Sequence, residues 1–267
     1  MSVVLTILGS TGVPDNPIAA LEQAGALMPV GDGSIGSTVN ILLMFTVLAL
    51  VPSILVLCTC FTRFVVVLAL LRQALGSPII PPTQILIGLS LLLSVVVMAP
   101  TIEQMYDEGI KPLIDGDITS SEVAWEKTRA PLRAFMFSQI ETAGNWSTVY
   151  MMLNYRGVDT SKPSELTRED VDTLSLLPAY VLSELKIAFL IGFRVYLPFL
   201  VIDLLVSGLL VSMGMLMLPP VLISLPLKIL MFVLVDGWSL VAGNLLQSVA
   251  VSEQVVWICT GALGGMA

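Results

Sequence analysis

Histidine is absent from this chain. Its absence removes the commonest general base and a common zinc ligand, and with them HExxH metal chemistry and histidine-based triads. Charge is scarce as well. Only 12% of the 267 residues are Asp, Glu, Lys or Arg, against about 25% in an average soluble domain. A soluble surface needs such charges to stay solvated, and this chain cannot supply them. Basic residues are the scarcer sign, 12 against 20 acidic, which leaves a net charge of −8. That balance argues against nucleic acid, whose phosphates need a basic partner. Cysteine is limited to Cys58, Cys60 and Cys259. Cys58 and Cys60 lie two residues apart in an apolar run, a spacing that turns them away from each other on a helix. They read as small buried residues rather than a disulfide or a metal site. No Walker A, Gly-x-Ser-x-Gly or Cys/His cluster occurs, and no internal repeat is evident.

What the chain has is apolar sequence, at 56% of residues and a mean hydropathy of +0.93. Residues 1–38 read as a polar, Gly/Pro-containing tail with one short helix around Ile18–Ala26. Met1–Leu8 is apolar but short and has no Lys or Arg ahead of it, unlike a secretory signal. Residues 39–100 form a first hydrophobic helical pair. Val39–Phe61 is long enough to span a bilayer, with a kink expected at Pro52, and an apolar extension runs to Arg72. Leu75-Gly76-Ser77-Pro78 and Pro81-Pro82 break the chain. The second run, Gln84–Pro100, is shorter and ends at a proline.

Composition then changes. Thr101–Thr173 carries 13 acidic and 7 basic residues, so it reads as a soluble helical segment. Ser120 and Ser121 ahead of Val123, Leu132, Phe135, Met136 and Ile140 predict a capped amphipathic helix, with Pro131 marking a helix start inside it. Gly157–Arg168 reads as a loop, and Thr167–Asp170 as the cap of a short helix. Residues 174–251 form the second hydrophobic pair, Leu174–Val211 and Leu218–Val251. Pro178 and Pro198 are expected to break the former. The tail, 252–267, is Gly/Ala-rich and reads as loose. The fold expected is therefore all-α, a membrane protein of four main hydrophobic, kinked helical segments. Arg72 alone supplies basic charge to a short connector. The bias of basic residues toward the cytoplasm then places the tail and residues 101–173 outside.

Glu184, Lys186, Arg194, Asp203, Lys228 and Asp236 all lie in apolar surroundings. Each such charge costs roughly 2.5–3.5 kcal/mol at a bilayer centre on insertion scales. Pairing, a watery lumen or burial against other subunits would relieve that cost. Arg63 and Arg72 are expected to snorkel to an interface, and Glu184 is expected to pair with Lys228, within a chain or between copies. Asp203 and Asp236 lack the Gly-x-Gly-Asp context of intramembrane aspartyl proteases, whose chemistry needs two carboxylates sharing a proton. Met213, Met215 and Met217 lie between two apolar helices, beside Pro219-Pro220. They are either ordinary core methionines or a deformable seal, since methionine fills irregular gaps and yields. A small-solute transporter would share the broken helices but should show an inverted repeat.

Several ordered motifs resemble the FliP family. They are Leu177-Pro178-Ala179-Tyr180-Val181-Leu182-Ser183-Glu184-Leu185-Lys186, Leu197-Pro198-Phe199-Leu200-Val201-Ile202-Asp203-Leu204, and Gly214-Met215-Leu216-Met217-Leu218-Pro219-Pro220. With them stand Leu225-Pro226-Leu227-Lys228 and Phe232-Val233-Leu234-Val235-Asp236-Gly237-Trp238. Phe61-Thr62-Arg63, the stretch Leu71–Pro78 and Pro131-Leu132-Arg133-Ala134-Phe135-Met136 match earlier in the chain. The likeness runs from about Val39 to Gln247.

This resemblance implies an export-gate core in the bacterial flagellar basal body, in the inner membrane. It implies a pentameric ring built with FliQ-like and FliR-like subunits and served by FlhB-like and FlhA-like components, through which unfolded flagellar proteins pass. The subunits would form a helical cone, with no cofactor, metal or catalytic residue. It would make Met213, Met215, Leu216 and Met217 the pore gasket, and Glu184, Lys228, Asp203, Asp236 and Arg63 the charges of subunit assembly. Leu216 stands where the family often has methionine, and the usual cleavable signal is not evident. Virulence-type injectisomes have homologous subunits. The long soluble insertion and the Val235-Asp236-Gly237-Trp238 context point to the flagellar branch.

Overall fold

The structure is a computed structural model. It describes residues 42, 44–46, 49, 56–77, 80–116, 120–158, 167–215 and 217–249. The expected helix at Ile18–Ala26, the kink at Pro52, most of the first apolar run, Leu216 and the 252–267 tail lie outside those residues. The regular elements described are all helical, with no strand among them. The chain divides into two compact units, Met1–Leu55 with Thr101–Phe135 and Val56–Pro100 with Met136–Ala267.

The larger unit is organised on two helices. Helix α1, Phe61–Leu75, buries Phe64, Val67, Leu68, Leu71, Ala74 and Leu75. That spacing of three and four residues draws one apolar stripe, which packs along α6, Thr173–Ser212. Gly192 sits at the crossing, where an added Cβ would come within 2.3 Å of the Leu70 side chain. Helix α1 stops at Gly76, whose left-handed backbone (φ 80°) turns its N–H to the Gln73 carbonyl. The Gly-Ser-Pro breaker read from the sequence therefore acts where expected.

Helix α2, Thr83–Met105, does not stop at Pro100. It carries that proline inside and continues through a π-helix, Tyr106–Ile110, into the short α3, Lys111–Ile114. A proline costs the ladder one N–H, here the donor for Val96, while its fixed φ remains helical. The flanking bonds hold the helix together. Before α1, the Cys60 thiol donates to Ser94 Oγ at 3.5 Å, tying that segment to α2. Cys58 and Cys60 are both buried, unlinked thiols, as their apolar context suggested.

The predicted amphipathic helix is α4, Ser121–Thr142. Pro131 lies in its interior rather than at a start. The carbonyl left without its donor belongs to Lys127, which is exposed and open to solvent, so the helix runs through. Helix α5, Trp146–Tyr155, lays Val149 and Leu153 inward against α6, and Trp146 stacks between Phe137 and Tyr150 at 6.0 and 5.9 Å. Thr167–Asp170, read as the cap of a short helix, forms a turn instead, and the helix that follows is the long α6, with Asp172 at its N-cap. Thr167 donates its backbone N–H and its hydroxyl to Asp170, each at 2.8 Å.

Helix α6 is unbroken over 40 residues, with Pro178 and Pro198 inside it. At 1.5 Å per residue it is about 60 Å long. The expected breaks do not occur, because long flanking runs of Leu, Ile, Val and Phe supply packing and hydrogen bonds on both sides of each proline. A short turn leads to α7, Val221–Leu234, and a 67° bend separates α7 from α8, Gly237–Gln247. Thr83–Ile114 and Thr173–Ser212 are each long and apolar enough to cross a membrane, and the bent α7–α8 pair makes a third span if counted as one. Four apolar runs in the sequence thus become two or three such helices among the described residues. Their outer faces leave Leu204, Leu205, Leu209, Val233 and Leu234 exposed. A face of that kind calls for lipid or another protein rather than water.

Candidate functional site

Arg63 does not snorkel. Helix α1 points it into the interior, where both it and Glu184 of α6 are 0% exposed. Nε and Nη2 of Arg63 donate to the two Glu184 carboxylate oxygens at 2.7 and 2.6 Å. This is the two-pronged geometry that a planar guanidinium favours. Nη2 also donates to Gln139 Oε1 at 3.2 Å, and Nη1 to the carbonyl and hydroxyl of Ser248. One guanidinium therefore ties together α1, α4, α6 and the end of α8. One turn along, Asn145 donates from Nδ2 to Ser183 Oγ at 2.8 Å and accepts from Lys186 Nζ at 2.6 Å.

The second centre is nearer the far end of α6. Lys228 of α7 is buried and donates to Asp203 Oδ2 at 2.6 Å and to the Ala74 carbonyl at 3.0 Å. The expected pairing of Glu184 with Lys228 is thus replaced within the chain by two separate pairs, Arg63–Glu184 and Lys228–Asp203. The reason is length. Glu184 and Asp203 lie 19 residues apart on one continuous helix, or about 28 Å. A lysine level with one cannot reach the other.

Met213, Met215 and Met217 lie on the turn between α6 and α7 and are all exposed, Met217 at 97%. Gly214 (φ 78°) supplies the left-handed step that reverses the chain. Asp236 takes the other special position, φ 50°, at the α7–α8 corner. Aspartate tolerates this backbone better than most side chains. Gly237 follows because a Cβ there would fall 2.2 Å from the Phe232 ring, and Trp238 then meets that ring edge-on at 5.3 Å. The Asp-Gly-Trp motif is therefore the chemistry of a corner. The Asp236 carboxylate forms no ion pair among the described residues, and neither does Arg194.

Sequence reasoning named Arg63, Glu184, Asp203 and Lys228 but matched them wrongly, and it missed Gln139, Asn145, Ser183 and Ser248. A lone Gln, Asn or Ser on a helix gives no signal until a neighbour's charge is placed beside it.

Two helices long and apolar enough to cross a membrane, one of them carrying Glu184 and Asp203 with each acid paired to a base on a neighbouring helix, mark a helical membrane protein with an apolar exterior. The family model described as the FliP family matches residues 44–245. The flagellar biosynthetic protein FliP of Bacillus subtilis is 46% identical over 215 residues, covering 80% of this chain and 93% of that protein. The Caulobacter vibrioides protein of the same name is 43% identical over 250 residues, 92% and 90% of the two chains. That of Aquifex aeolicus is 41% identical over 249 residues, 93% and 99%. The chain belongs to the FliP family.

Proposed function

We propose that this chain is a core subunit of the flagellar type III protein export gate in the bacterial inner membrane. It carries out no catalysis. Several copies, five by the family resemblance, assemble with FliQ-like and FliR-like subunits into a helical cone. FlhB-like and FlhA-like components serve it, and unfolded flagellar proteins pass through its centre. The relatives that support this reading are named for flagellar biosynthesis, which favours the flagellar branch over the injectisome one.

The observation that carries the channel reading is the methionine turn. An apolar chain that buries charges leaves Met213, Met215 and Met217 outside its own core. Flexible apolar side chains held at the apex of a helical hairpin suit a seal formed jointly by several copies. A dry constriction stops ions, because an ion entering it sheds its hydration shell and gains nothing from apolar walls. Glycine at Met215, Leu216 and Met217 together is expected to raise the conductance of the resting complex in planar bilayers while the complex still assembles. Leu216→Met should be nearly silent, since the volumes are close and both are apolar. An assembled triple-glycine complex that leaks no more than wild type would return these residues to ordinary packing.

A further inference from the structure

The bend between α7 and α8 leaves an open cavity of about 520 Å³ against the middle of α6. That is the size of a small-molecule site, about 300–1,000 Å³. Helix α6 lines it with Ile191, Arg194, Val195, Pro198 and Phe199. One face of α8 and its end line the other side, with Leu240, Val241, Asn244, Gln247 and Ser248 at helical spacing. The wall is not uniform. At one end Phe199 meets Phe232 with ring centroids 6.2 Å apart, and Met231, Val235 and Leu240 keep that end apolar. At the other end stand the amides of Asn244 and Gln247 and the Ser248 hydroxyl. Ser248 is tied through Arg63 to Glu184. Along α6, Arg194 therefore lies between the polar end, near Glu184, and the apolar end at Phe199.

Among the described residues that line this cavity, Arg194 alone is charged. It is exposed, and it has no ion-pair partner among the described residues. Leu190, Phe193 and Leu197 are exposed around it, on a helix long enough to cross a membrane. A cation in that setting needs an anion that its apolar neighbours do not supply. A guanidinium takes phosphate through two parallel N–H···O bonds, and the apolar wall beside it takes a hydrocarbon chain. We propose that the cavity holds an anionic phospholipid. Its phosphate sits on Arg194 with Asn244 and Gln247 beside it, and one acyl chain lies against Phe199, Phe232 and Leu240. The headgroup is anionic rather than zwitterionic, because no acidic side chain among the described lining residues receives a lipid's own ammonium. Asp236, between the lining residues Val235 and Gly237, is not one of them.

The test uses the full-length chain, extracted from membranes in a mild detergent with whatever subunits accompany it. Phosphatidylglycerol and phosphatidylethanolamine of matched chains are added in equal amounts, and the lipids retained after washing are counted by mass spectrometry. Wild type is expected to retain phosphatidylglycerol about tenfold over phosphatidylethanolamine, as a charge-assisted contact allows, and Arg194→Gln to abolish that preference. Arg194→Lys should keep most of it, because an ammonium still meets the phosphate. Leu240→Trp, which fills the apolar end, should lower the phosphatidylglycerol retained with the charge unchanged. Arg72→Gln, at an arginine outside this cavity, should behave as wild type. Equal retention by wild type and Arg194→Gln, or no preference in wild type, overturns the proposal. So does an Arg72→Gln loss as large as that of Arg194→Gln, which would mean a general attraction to basic residues. If Arg194→Gln leaves the lipids unchanged but breaks up the assembly on native gels, a protein partner covers this face and the proposal falls.

Discussion

Removing one partner from the Arg63–Glu184 pair would strand the other charge where no water reaches it, at a cost of about 3–5 kcal/mol. Arg63→Ala or Glu184→Ala should therefore lose most of the folded protein, read as loss of protease resistance in membranes. The double variant Arg63→Met/Glu184→Leu should recover much of it, because removing both charges removes the desolvation cost along with the attraction. Exchanging Glu184 with Lys228 should rescue nothing, because each then faces a partner of its own sign. A single alanine variant as resistant as wild type would deny the pair its structural role. The residues of this centre were legible in the sequence as charges in the wrong surroundings. Their pairing was not, because pairing depends on which helices lie side by side, and a separation of 121 residues carries no local signal.

At the scale of elements, the turn ahead of α6 depends on charge. Asp170 is held below the ordinary aspartate pKa by the backbone N–H and then the hydroxyl of Thr167, which favour the carboxylate. A depressed folded value means that the turn's support is complete above the ordinary aspartate pKa. It is lost as pH falls through the folded value. Hydrogen exchange at the Thr167 amide should accelerate on acidification beyond its intrinsic pH dependence, and Asp170→Ala should abolish that excess. An unchanged profile in Asp170→Ala would show that the carboxylate does not hold the turn. Elsewhere the prolines misled the sequence reading. Pro100, Pro131, Pro178 and Pro198 read as boundaries and lie inside helices. In each case the lost hydrogen bond is one among many; around Pro100, Pro178 and Pro198 long apolar neighbours hold the helix, and at Pro131 the freed Lys127 carbonyl lies on an exposed residue, neither of which a local rule sees. Gly76, Gly214 and the Asp236-Gly237 corner were more legible, because a left-handed step has few residue types that accept it.

For the whole molecule, the decisive question is which side of the membrane receives residues 101–173. Their 13 acidic and 7 basic residues suit water, and the first of them, from Glu103 to Lys111, already stand on the last turns of the helix that runs from Thr83 to Ile114. Asp115 lies just beyond that helix and is exposed, which makes it the earliest clean reporter of the side reached. Arg72, at the end of α1 beside the connector 76–82, supplies the basic charge of that short connector and favours it on the cytoplasmic side. A single span of α2 then delivers Asp115 to the other side. With the native cysteines replaced by alanine, Asp115→Cys in intact spheroplasts should react with a membrane-impermeant thiol reagent added from outside. A cysteine at Gln73, exposed near the end of α1, should react only after the membrane is opened. Reaction of both from outside would mean that Thr83–Ile114 does not cross. Reaction of Gln73→Cys alone would reverse the orientation and place the acidic segment in the cytoplasm.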